Sequence, residues 1–115
     1  MQYMLLIYAN EASLGKMSEQ ERGALFGEYT KFTEDIRKAG KFQAGAPLQP
    51  TPTATTVRVR DGKRLVTDGP FAETKEQLGG YYLIDASDLD DAIAIAARIP
   101  SARLGSIEVR PVRAM

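Results

Sequence analysis

Residues 67–80, TDGPFAETKEQLGG, carry the densest chemistry in the chain. Asp68, Glu73, Lys75 and Glu76 form a mixed-charge set there, able to hold a polar ligand or move a proton. Asp68-Gly69-Pro70 must turn sharply, because Pro70 fixes its own φ and biases Gly69 toward extended geometry. Two readings of Asp68 stand side by side. Its carboxylate can accept amide protons from the turn it starts, a purely local role. It can also act as the acid or base of a site, with Gly69, Pro70, Phe71, Glu73 and Lys75 as the ligand-binding residues. The span from Asp68 to Leu78 is long for a hairpin connection, and long ordered loops in compact domains are often functional. The Phe71 ring is expected to plug the core beneath this loop rather than stack on a ligand.

Composition removes most other chemistry. There is no Cys, hence no disulfide, thiolate nucleophile or zinc–sulfur site. There is no His either, which takes away the usual base near neutral pH and the activator that a Ser or Thr nucleophile would need. Fifteen basic residues balance fifteen acidic ones, so no net field draws the chain to nucleic acid or membrane. Arg58, Arg60, Lys63 and Arg64 are locally basic, but without further basic patches and stacking aromatics they read as a solvated face. Asp88, Asp90 and Asp91 lack calcium-loop spacing and its bend-making glycine, and they suit a helix start instead. No Gly-rich phosphate loop is present. Neither a metal nor a cofactor is expected. The longest apolar run, Tyr3 to Ala9, is far shorter than the ~20 residues of a membrane helix. With no basic leader and cleavage site, a soluble cytoplasmic protein is expected.

The elements that must position these groups can be read along the chain. At 115 residues it is one domain, 1–115, since domains cluster near ~100–150. Tyr3–Tyr8 is continuously apolar and reads as a central strand buried on both faces. Asn10–Lys16 has loop chemistry. Ser18 and Glu21 have the spacing of a capping box, and Leu25, Tyr29, Phe32 and Ile36 give the following helix one buried stripe. Gly40 stops that helix. Gly23 and Gly27 within it suggest close packing of another backbone. Lys41–Ala46 is a strand, and Pro47–Thr53 an extended loop. Thr55–Arg60 and Lys63–Thr67 form a hairpin about Asp61-Gly62. Tyr81–Asp85 is a strand, Ser87 caps a helix facing inward through Leu89, Ile93 and Ala96 with Ala92 and Ala97, and Ser106–Val112 closes the fold. The result is an α+β, ferredoxin-like sandwich with helices on one face of an antiparallel sheet. Two helices leave the other face bare, so a homodimer is expected.

Residues 57–85, VRVRDGKRLVTDGPFAETKEQLGGYYLID, resemble the signature of the YCII-related proteins, in the branch named for its Asp-Gly-Pro-Phe motif. MLLIYANE at Met4–Glu11 and the closing SIEVRPV extend the likeness to nearly the whole chain. The resemblance implies a dimeric α+β barrel with a pocket near its mouth, and no settled reaction. Some members carry a His–Asp pair suggested to be catalytic. Here Tyr29 falls where that His would be and Lys38 where its Asp would be, so chemistry must centre on Asp68. Relatives are often encoded beside extracytoplasmic-function sigma factors. The expected function is therefore binding of a small polar molecule in a barrel pocket, with Asp68 as acid or base. The alternative is a non-catalytic regulatory partner of such a sigma factor.

Overall fold

Gln2–Ala9 forms strand β1 in the computed structural model, which describes all of residues 1–115. Period-2 geometry sends Tyr3, Leu5 and Ile7 into the core, while Met4, Leu6 and Tyr8 on the opposite face stay half-buried. The strand is central, as its composition predicts, but only one of its faces is covered.

Residues 10–16, expected as loop, instead hold a short helix, α1 (Glu11–Gly15). Asn10 caps it by accepting the Ser13 amide. Helix α2 (Glu19–Lys38) starts at the anticipated capping box, with Ser18 and Glu21 each accepting the other's backbone N–H. The Ser18 backbone amide first, and the Ser18 side chain second, hold the Glu21 carboxyl below its ordinary pKa. Phe32 and Ile36 are buried, Leu25 and Tyr29 partly so, and Gly40 beyond the C-terminus takes φ +73°. Gly23 and Gly27 do not receive a neighbouring backbone: a Cβ on either would meet nothing within 4 Å.

Strand β2 (Phe42–Pro47) follows, and then a 3-10 turn at Thr51–Thr53. Strands β3 (Thr55–Arg60) and β4 (Lys63–Asp68) make a separate two-stranded arm. Asp61 and Gly62 at its tip have φ of 52° and 74°, the left-handed pair that a two-residue hairpin demands. Strand β5 (Gln77–Asp85) begins earlier than expected, and Ala86 buries itself beyond its end. Helix α3 (Leu89–Ala97) is capped by Asp88 rather than Ser87: the Asp88 carboxylate accepts the Asp91 amide. Its buried face is Ala92, Ile95 and Ala96, while Leu89 and Ile93 are half exposed, contrary to the expected stripe. Pro100 ends the helix and opens a 3-10 turn to Arg103, leading into β6 (Ser106–Pro111).

The main sheet has the order β2–β5–β1–β6, with every pairing antiparallel. With the arm, the short helix α1 and the 3-10 turns set aside, the elements run β-α-β-β-α-β, the ferredoxin-like sequence of elements. The core lies between the sheet and helices α2 and α3. At its centre Tyr82 stands edge-on to Phe32 at 5.2 Å, and its hydroxyl pairs with Thr33 Oγ1 at 2.7 Å. The molecule is a thin plate, 47 × 43 × 19 Å, with a radius of gyration of 16.0 Å. A compact chain of this length would have a radius near ~13 Å. The arm accounts for the excess.

One ion pair ties the helical layer to the sheet. Lys41 Nζ lies 2.8 Å from Asp91 Oδ2, which also accepts the Ser87 amide. The Lys41 ammonium, and then the Ser87 amide, hold the Asp91 carboxyl below its ordinary value, while the same hydrogen bond raises Lys41. A depressed acid stabilises the fold above its unfolded pKa of about 4 and loses that contribution as pH falls further. The Lys41 contribution is present at neutral pH and fades only in strong alkali. Asp91→Asn is therefore expected to flatten the fall in urea midpoint below pH ~4. Equal acid slopes in the two proteins would show that the pair contributes nothing.

Candidate functional site

Three segments remote in sequence meet at the end of β1. The strand delivers Asn10 and Glu11, the connection after β2 delivers Pro50–Pro52, and the run into β5 delivers Thr74, Lys75 and Gln77. They line an open cleft of about 500 Å³. Its walls are set by hydrogen bonds. Asn10 Nδ2 donates to the Lys75 carbonyl at 3.0 Å, and the Glu11 amide donates to Gln77 Oε1 at 2.9 Å. The Glu11 carboxylate accepts the Thr51 amide at 2.8 Å and the Thr51 hydroxyl at 2.6 Å. Both carboxylate oxygens are thus engaged with the protein, so Glu11 positions the cleft. Lys75, whose backbone is anchored by Asn10, has its ammonium in no ion pair. The cleft therefore offers the unpaired Lys75 cation to a polar or anionic molecule.

Of the residues anticipated from sequence, only Lys75 lines this cleft. Asp68 closes β4, and Gly69, Pro70, Phe71 and Glu73 follow at the root of the arm, all outside the cleft lining. The Asp68 side chain is exposed and accepts no hydrogen bond, so the local-turn role is not the one it plays. Gly69 holds the turn instead: its amide donates to the Ala54 carbonyl at 2.7 Å, and its carbonyl accepts from Thr56 Oγ1. Gly69 takes φ +97°, not the extended value that Pro70 favours, and only glycine adopts that freely. Phe71 does not plug the core. It is 78% exposed.

The arm root is nevertheless coupled to the cleft. Gly69 bonds to Ala54, the Ala54 amide to the Thr51 carbonyl, and the Thr51 amide to Glu11. Sequence reasoning missed Glu11, Thr51 and Gln77. Asn10 was a usable signal, since Asn before Glu after a strand is a helix start.

Tyr29 and Lys38, at the positions of the implied His–Asp pair, do not meet as a dyad. The Tyr29 hydroxyl donates to buried Ser101 Oγ at 2.6 Å, and burial chiefly holds its pKa above the ordinary tyrosine value. It is a neutral structural donor. Lys38 is exposed at the end of α2. No helix of the chain is long and apolar enough to cross a membrane.

Comparison with known proteins agrees with this architecture. An uncharacterised protein of Rhizobium meliloti is 40% identical over 114 residues, spanning 97% of this chain and 92% of its own. The structure of 5-chloro-2-hydroxyhydroquinone dehydrochlorinase from Burkholderia phenoliruptrix AC1100, in complex with 2,5-dihydroxybenzoquinone, superposes with a TM-score of 0.58. It covers 98% of this chain and 94% of the dehydrochlorinase at 16% identity, a likeness of fold. The family model described as the YCII-related domain matches residues 1–115 from end to end, and the chain belongs to that family.

Proposed function

We propose that the protein binds a small polar molecule in the cleft at the end of β1 and that Asp68, at the adjoining arm root, exchanges a proton with it. The observation that carries this is convergence: three segments bring Asn10, Thr74, Lys75 and Gln77 around one opening, and Glu11 is spent on holding it in shape. Gly69, Pro70, Phe71 and Glu73 form the flank of the site on this proposal, as the Asp-Gly-Pro-Phe branch would have it. The dehydrochlorinase's bound hydroxyquinone suggests the chemical class to try first, a hydroxylated ring. The protein acts as a homodimer on this proposal, its second sheet face meeting the same face of another copy in a barrel. That face carries Met4, Leu6, Tyr81 and Leu83, half-buried with no layer above them. The alternative, a regulatory role beside a sigma factor, rests on the family resemblance alone.

A thermal-shift panel of hydroxybenzoquinones and hydroxybenzoates tests the site. A true ligand at a hundred times its Kd adds about 2.7 kcal/mol, worth on the order of 10 °C for a domain of this size. Lys75→Met is expected to lose most of that shift while melting normally when unliganded, because Lys75 is exposed and in no ion pair. A panel without any shift, or one in which Lys75→Met responds like the wild type, would overturn the assignment.

A further inference from the structure

The arm is built as if something lay against it. Cross-strand register puts Thr55, Val57, Val59, Arg64, Val66 and Asp68 on one of its faces. Val57, Val59 and Val66 are 59%, 61% and 59% exposed, a contiguous β-branched surface in water. Nothing in the chain packs on either face of the arm, and an isolated two-stranded hairpin is marginal by itself. Phe71, at the arm root, is 78% exposed as well.

Area decides what covers it. Four strands about 4.8 Å apart and some six residues long present roughly 400 Å² of flat sheet face. Pairing that face alone across a two-fold buries about 800 Å² in total, short of the ~1,000–1,200 Å² expected of a specific interface. The two-stranded arm adds about half as much again on each protomer, and the total then suffices. The arm and the four-stranded sheet are separate sheets of one plate 19 Å thick, and a two-fold pairing presents both to a second copy of the same chain.

We infer that the arm crosses to a second copy of this chain, which covers the valine face, and that this contact completes the site. Asp68 shares its face with Val57 and Val66, so the surface that covers the valines also strips water from Asp68. A carboxylate removed from water, and tied to the cleft through Gly69, Ala54 and Thr51, is placed to exchange a proton with a molecule that reaches the arm root. The inference deepens the proposed function and rests on it for the role of Asp68. The arm contact itself needs no ligand to be measured.

Amide exchange on the wild-type protein at high and low concentration reads the contact directly. The β3 and β4 amides are expected to exchange at least ~100-fold more slowly at tens of micromolar than in the diluted monomer, because a bare hairpin opens freely. Val57→Asp is expected to raise the dimer dissociation constant by ~100-fold or more in sedimentation, since it places an unpaired charge in the contact. Its helical far-UV signal should stay native, as Val57 lies in the arm and packs on neither α2 nor α3. Arg58→Gln, on the opposite arm face, should dimerise like the wild type. Fast arm exchange at every concentration, a monomeric wild type, or a Val57→Asp protein that dimerises normally would each overturn the inference. If Val57→Asp fails to fold, the wild-type exchange data decide alone. A panel that yields no ligand leaves the arm contact standing, whereas a monomeric Val57→Asp protein that binds its ligand normally overturns completion of the site only.

Discussion

Gly105→Ala is expected to be the most destabilising Gly→Ala change among the ten glycines of this protein. A Cβ there would lie 2.1 Å from the Tyr8 carbonyl oxygen and 2.9 Å from the Ala9 Cα. Both neighbours are backbone of the central strand, which cannot rotate aside as a side chain would. The Gly105 amide is held from the other direction by the Ser101 carbonyl at 2.8 Å. Relief therefore means opening the β1–β6 edge near the Tyr8–Ser106 pair or breaking the 3-10 turn. Overpacking of movable side chains costs ~1–3 kcal/mol, and a clash with fixed backbone belongs at or above the top of that range. A fall in melting temperature of about 10 °C or more is expected. The same strand end carries Asn10 and Glu11, so the cleft should deform and any ligand-induced shift should shrink with it. Gly79→Ala provides the control. It adds the same methyl within β5, meets nothing within 4 Å, and should stay within about 1 kcal/mol of the wild type. Equal melting temperatures for the two variants would show that the strand edge yields easily.

Where local chemistry dictates structure, the sequence was readable. Ser18 and Glu21 could satisfy each other's amides in only one arrangement, and Asp61-Gly62 could adopt the left-handed pair that a tight hairpin needs. Tertiary choices were less legible. Helix α3 carries apolar residues on nearly every side, so Leu89 and Ile93 looked as fit to face inward as Ile95 until packing against the sheet selected Ile95. Gly23 and Gly27 looked like packing glycines but face open space. The motif stretch was legible as chemistry but not as a place. Phe71 is apolar and was expected inside, yet the arm that precedes it carries it away from the core. Glu11, Thr51 and Gln77 lie 40 and 66 residues apart from one another along the chain as bonded pairs, a separation no local pattern encodes.

Asp68→Asn separates chemistry from architecture. Its carboxylate accepts no hydrogen bond within the chain, and Gly69 and Thr56 hold the turn without it. Asn and even Ala are therefore expected to melt within a few degrees of the wild type, although loss of a capping carboxylate would cost on the order of 1 kcal/mol. That near-identity is itself a test, since a large loss with Ala would restore a turn role to Asp68. Function should respond differently. Asn keeps the size and hydrogen-bonding reach of Asp but cannot exchange a proton near neutral pH. Removing a general acid or base typically lowers turnover by about 10²–10⁴. For a compound identified by the thermal-shift panel, Asp68→Asn should retain a stable fold and the dimer while losing turnover on that scale. Lys75→Met should mainly weaken binding, so the two variants divide the site into a residue that reacts and one that holds. Should Asp68→Asn turn the compound over at the wild-type rate, proton exchange belongs to another group, and Glu73, the nearest carboxylate along the same loop, becomes the residue to replace.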